Sequence, residues 1–112
     1  NTGNTYWWGV SSSTNDEFKA AWRYTQQYLQ QRGLHNLLWV YSPSKPDRNI
    51  QQAFVYRYPG ADSIDVLAFD YYSANDISRG LVSCCEQTAK FAIEQRKVLA
   101  IAEFGAFGGL HG

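Results

Sequence analysis

The chain has no methionine, three prolines, two cysteines and no net charge, with ten Lys+Arg balancing ten Asp+Glu over 112 residues. Each shortage excludes something. No apolar run approaches the ~20 residues that span a bilayer, so no membrane partner is expected. A neutral chain lacks the basic footprint that polyphosphates select, so no nucleic acid is expected either. The N-terminus has neither a basic region nor a cleavable apolar stretch, so no signal peptide is expected within it. Without Met there is no initiator, and the chain is read as processed or as a piece of something longer. Cys84 and Cys85 are adjacent, which rules out an ordinary disulfide between them. No second Cys pair and no suitably spaced His completes a zinc site, so no metal is expected. The pair reads as one buried small apolar residue and a neighbour at a helix edge. Gly105, Gly108, Gly109 and Gly112 match neither a dinucleotide fingerprint nor a phosphate loop, so no cofactor is expected.

Aromatic residues are plentiful: four Trp, eight Tyr and six Phe make 16% of the chain, and hydrophobic residues make 45%. That is too apolar for a disordered polar tail. It is also more large rings than a core of this size needs. Several should lie near the surface, to stack on sugars beside carboxylates or to serve a protein interface.

Residues 1–13 are turn-rich and aromatic and read as a loop. Thr14 can cap a helix, and Glu17 completes a capping box. Phe18, Ala21, Trp22, Thr25 and Leu29 then recur at helical spacing, opposite Arg23, Gln26, Gln27, Gln30 and Gln31. Gly33 ends the helix near Arg32, and His35 is read as a charge at the helix end. Leu37 to Tyr41, stopped by Ser42-Pro43, reads as a strand buried on both faces. A short helix is expected around Asn49–Tyr56, closed by Tyr58-Pro59-Gly60. Ile64 to Phe69 is a second strand, ending in Asp70. A long helix follows over Asp76–Arg96, with Leu81, Val82, Cys85, Ala89, Ala92 and Ile93 as its apolar stripe and Arg79, Glu86, Lys90 and Glu94 on its wet face. Val98 to Ala102 is a third buried strand, ending at Glu103-Phe104-Gly105 before a Gly-rich tail holding His111.

Strand starts at 37, 64 and 98 suit βαβ units with right-handed crossovers. Three buried parallel strands do not close a sheet, and an eight-stranded (β/α) barrel needs ~250 residues. The fold expected is therefore α/β: part of a (β/α)8 barrel, from the end of its fourth strand to the end of its seventh.

In such barrels reactive side chains project from the C-terminal ends of the strands. Tyr41-Ser42, Asp70-Tyr71-Tyr72 and Glu103 stand there, and the Tyr6-Trp7-Trp8 loop shares that rim if a strand precedes it. Glu103 is the candidate nucleophile, since a carboxylate can attack an anomeric carbon; the alternative is a carboxylate that pairs with an Arg or caps a turn. Tyr71 or Tyr72 can hold that carboxylate in place, or be an amphipathic strand-end residue. Asp70 can bind a sugar hydroxyl or receive a loop amide. Tyr6, Trp7 and Trp8 offer a stacking platform, unless one Trp packs into the barrel top.

The chain resembles glycoside hydrolase family 26, the β-mannanase family. The matching stretches are N-T-G-N-T-Y-W-W-G (Asn1–Gly9), F-K-A-A-W-R-Y (Phe18–Tyr24), H-N-L-L-W-V-Y-S-P (His35–Pro43), Y-P-G-A-D-S-I-D-V (Tyr58–Val66), F-D-Y-Y (Phe69–Tyr72) and A-E-F-G (Ala102–Gly105). They occur in the family's order over nearly the whole chain. The resemblance implies that residues 1–112 are a fragment of a single catalytic domain. It implies that Glu103 is the nucleophile, that Tyr72 hydrogen-bonds it with Tyr71 as the fallback, and that Trp7 and Trp8 shape sugar subsites. The family's acid/base is a Glu in a His-Glu pair directly before the segment matching Asn1, so the chain as given begins one residue past it. Thr5 stands where the family commonly has Trp, which would mark a different subsite preference.

The implied function is a retaining endo-β-1,4-mannanase working by double displacement, with the chain inactive alone. Alternatives are a β-xylanase or mixed-linkage β-glucanase on the same scaffold, a non-catalytic carbohydrate-binding domain, and an α/β interaction domain. The expected partner is a polysaccharide, β-mannan. The complete enzyme is expected to be a monomer, and secreted or periplasmic because polymeric mannan does not enter cells.

Overall fold

The computed structural model describes residues 6–46, 49–74 and 77–109. Helix α1 runs Asn15–Gln31, β1 Val40–Tyr41, β2 Val66–Ser73, α2 Ile77–Gln95 and β3 Val98–Ala106; a π-helical turn, Gln51–Val55, and a 3-10 turn, Ala61–Ser63, lie between β1 and β2. The strands form one parallel sheet in the order β1-β2-β3.

The start of α1 follows from its sequence. The Glu17 N–H donates to Thr14 Oγ1 (3.2 Å), and the Thr14 N–H donates to Glu17 Oε2 (2.8 Å). Two helix-end donors are thereby satisfied reciprocally. The helix stops where Gly33 takes a φ of 82°, and the N–H groups of Arg32, Gly33 and Leu34 satisfy its last carbonyls. The end is closed by backbone, and His35 lies beyond it. Trp22 and Gln26 donate to Ser63 O (3.2 and 2.8 Å), and Arg23 donates to Pro59 O (2.9 Å). These bonds tie α1 to the segment that leads into β2.

The core lies on one side of the sheet. Leu67, Phe69 and Tyr71 alternate along β2 and are buried with Tyr41, Phe54, Ile64, Cys84, Phe91 and Ala92. Phe18 and Trp22 of α1 pack against this cluster. Tyr41 is its hub, with Phe18, Trp22, Phe54 and Tyr58 all in ring contact. Its hydroxyl donates to Phe54 O (2.8 Å), so the polar end of a buried ring is satisfied. Burial raises its pKa far above the ordinary phenol value.

Four expectations need correction. The first strand is Val40–Tyr41 only; Tyr41 is buried, while Leu37, Leu38 and Val40 are exposed in this three-stranded sheet. The second and third strands run on to Ser73 and Ala106, so Asp70, Tyr71, Tyr72 and Glu103 lie within strands rather than after them. Of the expected α2 stripe, Ala92 is buried and Leu81 and Cys85 pack against the core, but Val82 and Ile93 are exposed and the buried face is completed by Cys84, Thr88 and Phe91. The buried face is rotated from the apolar stripe toward Thr88, whose hydroxyl donates to Cys84 O (2.6 Å) and so costs little inside. Finally, Tyr71 points into the helical layer. It is 4% exposed, and a Cβ at Gly80 of α2 would lie 2.0 Å from its hydroxyl. Tyr71 therefore packs against α2, on the opposite face of β2 from Asp70 and Tyr72.

Gly80→Ala should destabilise the full-length protein by up to roughly 2 kcal/mol. The 2.0 Å approach puts the overpacking cost at the upper part of its ~1–3 kcal/mol range, above the ~1 kcal/mol that alanine gains over glycine in a helix. Tyr71→Phe should recover part of the loss. Chemical denaturation of the single and double variants tests this, and simple additivity would show that the two residues do not touch.

Candidate active site

Paired residues in a parallel sheet project from the same face, and successive residues alternate. Val66 pairs with Val98, Leu67 with Leu99, Ala68 with Ala100 and Phe69 with Ile101. Continued unbroken, Asp70 would face Ala102, and Glu103 would share the helical face with Tyr71. The register instead shifts after Phe69: Asp70 pairs with Glu103, and Tyr72 with Gly105. Ala102 is left as an extra residue. A one-residue bulge inverts every later side chain. It carries Glu103 out of the helical layer and onto the face of Asp70 and Tyr72.

On that face the Tyr72 hydroxyl donates to Glu103 Oε2 (3.0 Å). Among the described residues this is the one hydrogen bond to the Glu103 carboxylate, and no arginine pairs with it. The bond and the neighbouring negative charge raise the Tyr72 pKa above the ordinary phenol value, because ionising the phenol would lose the donor and set two anions together. Tyr72 and Glu103 are both exposed, so a ligand can reach them.

Asp70 is half-buried beside them. Ser42, just past β1, donates its hydroxyl to Asp70 Oδ1 (2.9 Å). The Asp70 N–H donates to Pro43 O (3.2 Å), which knits the β1 exit to β2. Burial, chiefly, pushes the Asp70 pKa up; the Ser42 bond pulls it down and the Glu103 charge pushes it up further. The result is a polar strip, Ser42–Asp70–Glu103–Tyr72, at the C-terminal ends of three parallel strands.

The aromatic loop forms its own cluster. Tyr6 and Trp8 stack at 4.6 Å with parallel planes, and Trp7 meets Trp8 edge-on at 5.4 Å. All three rings are exposed. Thr5 and His111 lie outside the described residues.

Ser42 stood among the strand-end residues without a role, and Gly105 and Phe107 had no place among the sequence-derived site residues. Ser42 carried a signal, a hydroxyl directly after an apolar strand. Gly105 looked like loop punctuation, yet a Cβ there would meet Tyr72 Cε1 at 2.7 Å and Cδ1 at 2.9 Å. Its missing side chain lets the tyrosine ring lie over β3. Phe107 flanks the same ring at 6.0 Å, and nothing local in the sequence marked it.

Two substitutions read the Tyr72–Glu103 bond in the full-length protein, followed by NMR titration of the Tyr72 ring. Glu103→Gln should bring the phenol pKa down toward its ordinary value, since the negative partner is gone. Gly105→Ala should shift it the same way with Glu103 intact, by pushing the ring off β3. A titration unchanged in both variants would show that the bond does not form in solution.

The sequence profile of glycosyl hydrolase family 26 matches residues 1–108. The chain is 30% identical over 116 aligned residues to a mannan endo-1,4-beta-mannosidase of Bifidobacterium adolescentis; the alignment takes in 96% of this chain and 12% of that protein. Its backbone superposes on a modular endo-beta-1,4-mannanase from Cellulomonas fimi with a TM-score of 0.84, at 33% identity, covering 97% of this chain and 25% of that one. The catalytic domain of the Bacillus sp. JAMB-750 GH26 endo-beta-1,4-mannanase gives a TM-score of 0.82 at 34% identity, covering 93% of this chain and 28% of that one. The chain thus spans about a quarter of the solved catalytic structures it matches, and its sheet is a sector of their (β/α)8 barrel. With a profile that covers almost its whole length, the chain belongs to glycosyl hydrolase family 26.

Proposed function

We propose that this chain is a nucleophile-bearing sector of a retaining β-1,4-mannan hydrolase. The observation that carries the reading is the Tyr72 hydroxyl on Glu103 Oε2 (3.0 Å), at the C-terminal end of a parallel sheet and on the same face as Asp70. Membership of the family and relatives named as mannan endo-1,4-beta-mannosidases support the substrate class.

In this reading Glu103 attacks the anomeric carbon and forms a glycosyl ester as the glycosidic C–O bond breaks. A general acid outside this chain protonates the departing oxygen. Water, deprotonated by the same group, then attacks the anomeric carbon and frees the carboxylate. Tyr72 orients the attacking oxygen through its hydrogen bond. Asp70, held by Ser42, offers a carboxyl to a sugar hydroxyl, and Tyr6, Trp7 and Trp8 offer flat apolar faces to sugar rings. A polymeric substrate supports a secreted or periplasmic location for the complete enzyme, which is proposed to act as a monomer.

The test uses the complete catalytic domain. It should release reducing sugar from mannan in preference to xylan or lichenan. Glu103→Ala should lower kcat by on the order of 10⁴-fold or more, as loss of a nucleophile does, while mannan is still bound. Turnover that survives this substitution would overturn the assignment, and preferential xylan or lichenan cleavage would transfer it to another β-1,4-type hydrolase. The 112-residue chain assayed alone should show no turnover, since a general acid is worth typically ~10²–10⁴ in rate.

A further inference from the structure

Arg57 follows the π-helical turn and is far in sequence from the aromatic loop, yet its side chain reaches back to it. Nε donates to Asn15 Oδ1 (3.1 Å). Nη1 donates to Trp8 O (2.5 Å) and Ser13 Oγ (3.2 Å). Nη2 donates to Gly9 O (3.5 Å) and to Ser13 O. A guanidinium has five N–H groups in a rigid fork, and here five oxygens meet them. Its central carbon lies 5.4 Å from the Phe18 ring centroid.

The loop has no strand or helix of its own over 6–13. Its internal ties are short-range: Gly9 N–H to Tyr6 O (2.9 Å), and the N–H groups of Ser12 and Ser13 to Gly9 O (3.0 Å each). The carbonyl of Trp8, whose indole stacks on Tyr6 and meets Trp7, is held by Arg57. We propose that Arg57 is a positioning residue that holds Tyr6, Trp7 and Trp8 as a preorganised wall for the sugar chain. This rests on the reading of that loop as part of the mannan-binding surface. Arg57 touches neither Glu103 nor Tyr72 in the described contacts. Its effect is therefore on binding, with the bond-breaking step left alone. Lysine keeps the charge but has three donors around a point, and does not reproduce the fork.

The experiment compares Arg57→Ala, Arg57→Lys and Trp7→Ala in the complete catalytic domain, measuring kcat and KM on mannan and intrinsic Trp emission. Both Arg57 variants should raise KM by roughly tenfold, the scale of lost preorganisation over a few side chains, with kcat nearly unchanged and Trp emission altered. Millimolar guanidinium should restore part of the KM of Arg57→Ala, where matched sodium chloride does not. If Trp7→Ala raises KM and both Arg57 variants leave it unchanged, the positioning role is wrong and the wall stands. If Trp7→Ala leaves KM unchanged, the wall itself is wrong and the positioning role falls with it. A fall in kcat at constant KM, or a lowered Tm alone, would make Arg57 a structural tie. Should Arg57→Ala not fold, Arg57→Lys carries the KM comparison.

Discussion

Side chains on a parallel sheet have two destinations, and parity assigns them. Along β2 the odd-numbered Leu67, Phe69 and Tyr71 enter the helical layer, and the even-numbered Asp70 and Tyr72 take the other face. Glu103 would be sent to the helices by the register that holds through Ile101. Ala102 breaks that register by one residue. A carboxylate there would otherwise lie on the helical face, away from Asp70 and Tyr72. The same slip sets Gly105 opposite Tyr72, and the absence of a Cβ lets the ring lie down within reach of Glu103. The meeting of carboxylate and phenol thus rests on one extra residue and one missing side chain.

The two halves of the proposed binding surface are built differently. Asp70 and Tyr72 stand on β2, whose other face is held by a dense aromatic cluster centred on Tyr41, and Glu103 is set beside them by the pairing of β3 with β2. The aromatic rings stand on a loop with no regular structure, fastened from a distance by Arg57. Strand-borne groups need small tolerances for bond-making, whereas a stacking surface tolerates more movement, and each support matches that demand.

Much of this was legible in the residues. The Thr14–Glu17 capping box and Gly33 bounded α1, because caps are local chemistry. The continuous apolar runs showed parallel strands, and the nature of what followed them nominated Glu103, Asp70 and Tyr72. Strand ends were misjudged because Asp70, Tyr71, Tyr72 and Glu103 look like loop residues by polarity, and only pairing with a neighbour keeps them in the ladder. Part of the buried face of α2 was missed because Thr88 reads as polar until its hydroxyl is seen bonded within the helix.

The sequence by itself determined the order of elements, the parallel α/β class and the chemical types gathered at the strand ends, since each depends on a residue and its near neighbours. Tertiary structure decided between Tyr71 and Tyr72, turned Glu103 toward the second of them, and brought Arg57 to the aromatic loop. Those outcomes depend on inter-strand register and on contacts between residues distant along the chain, and neither is written in any local stretch of sequence.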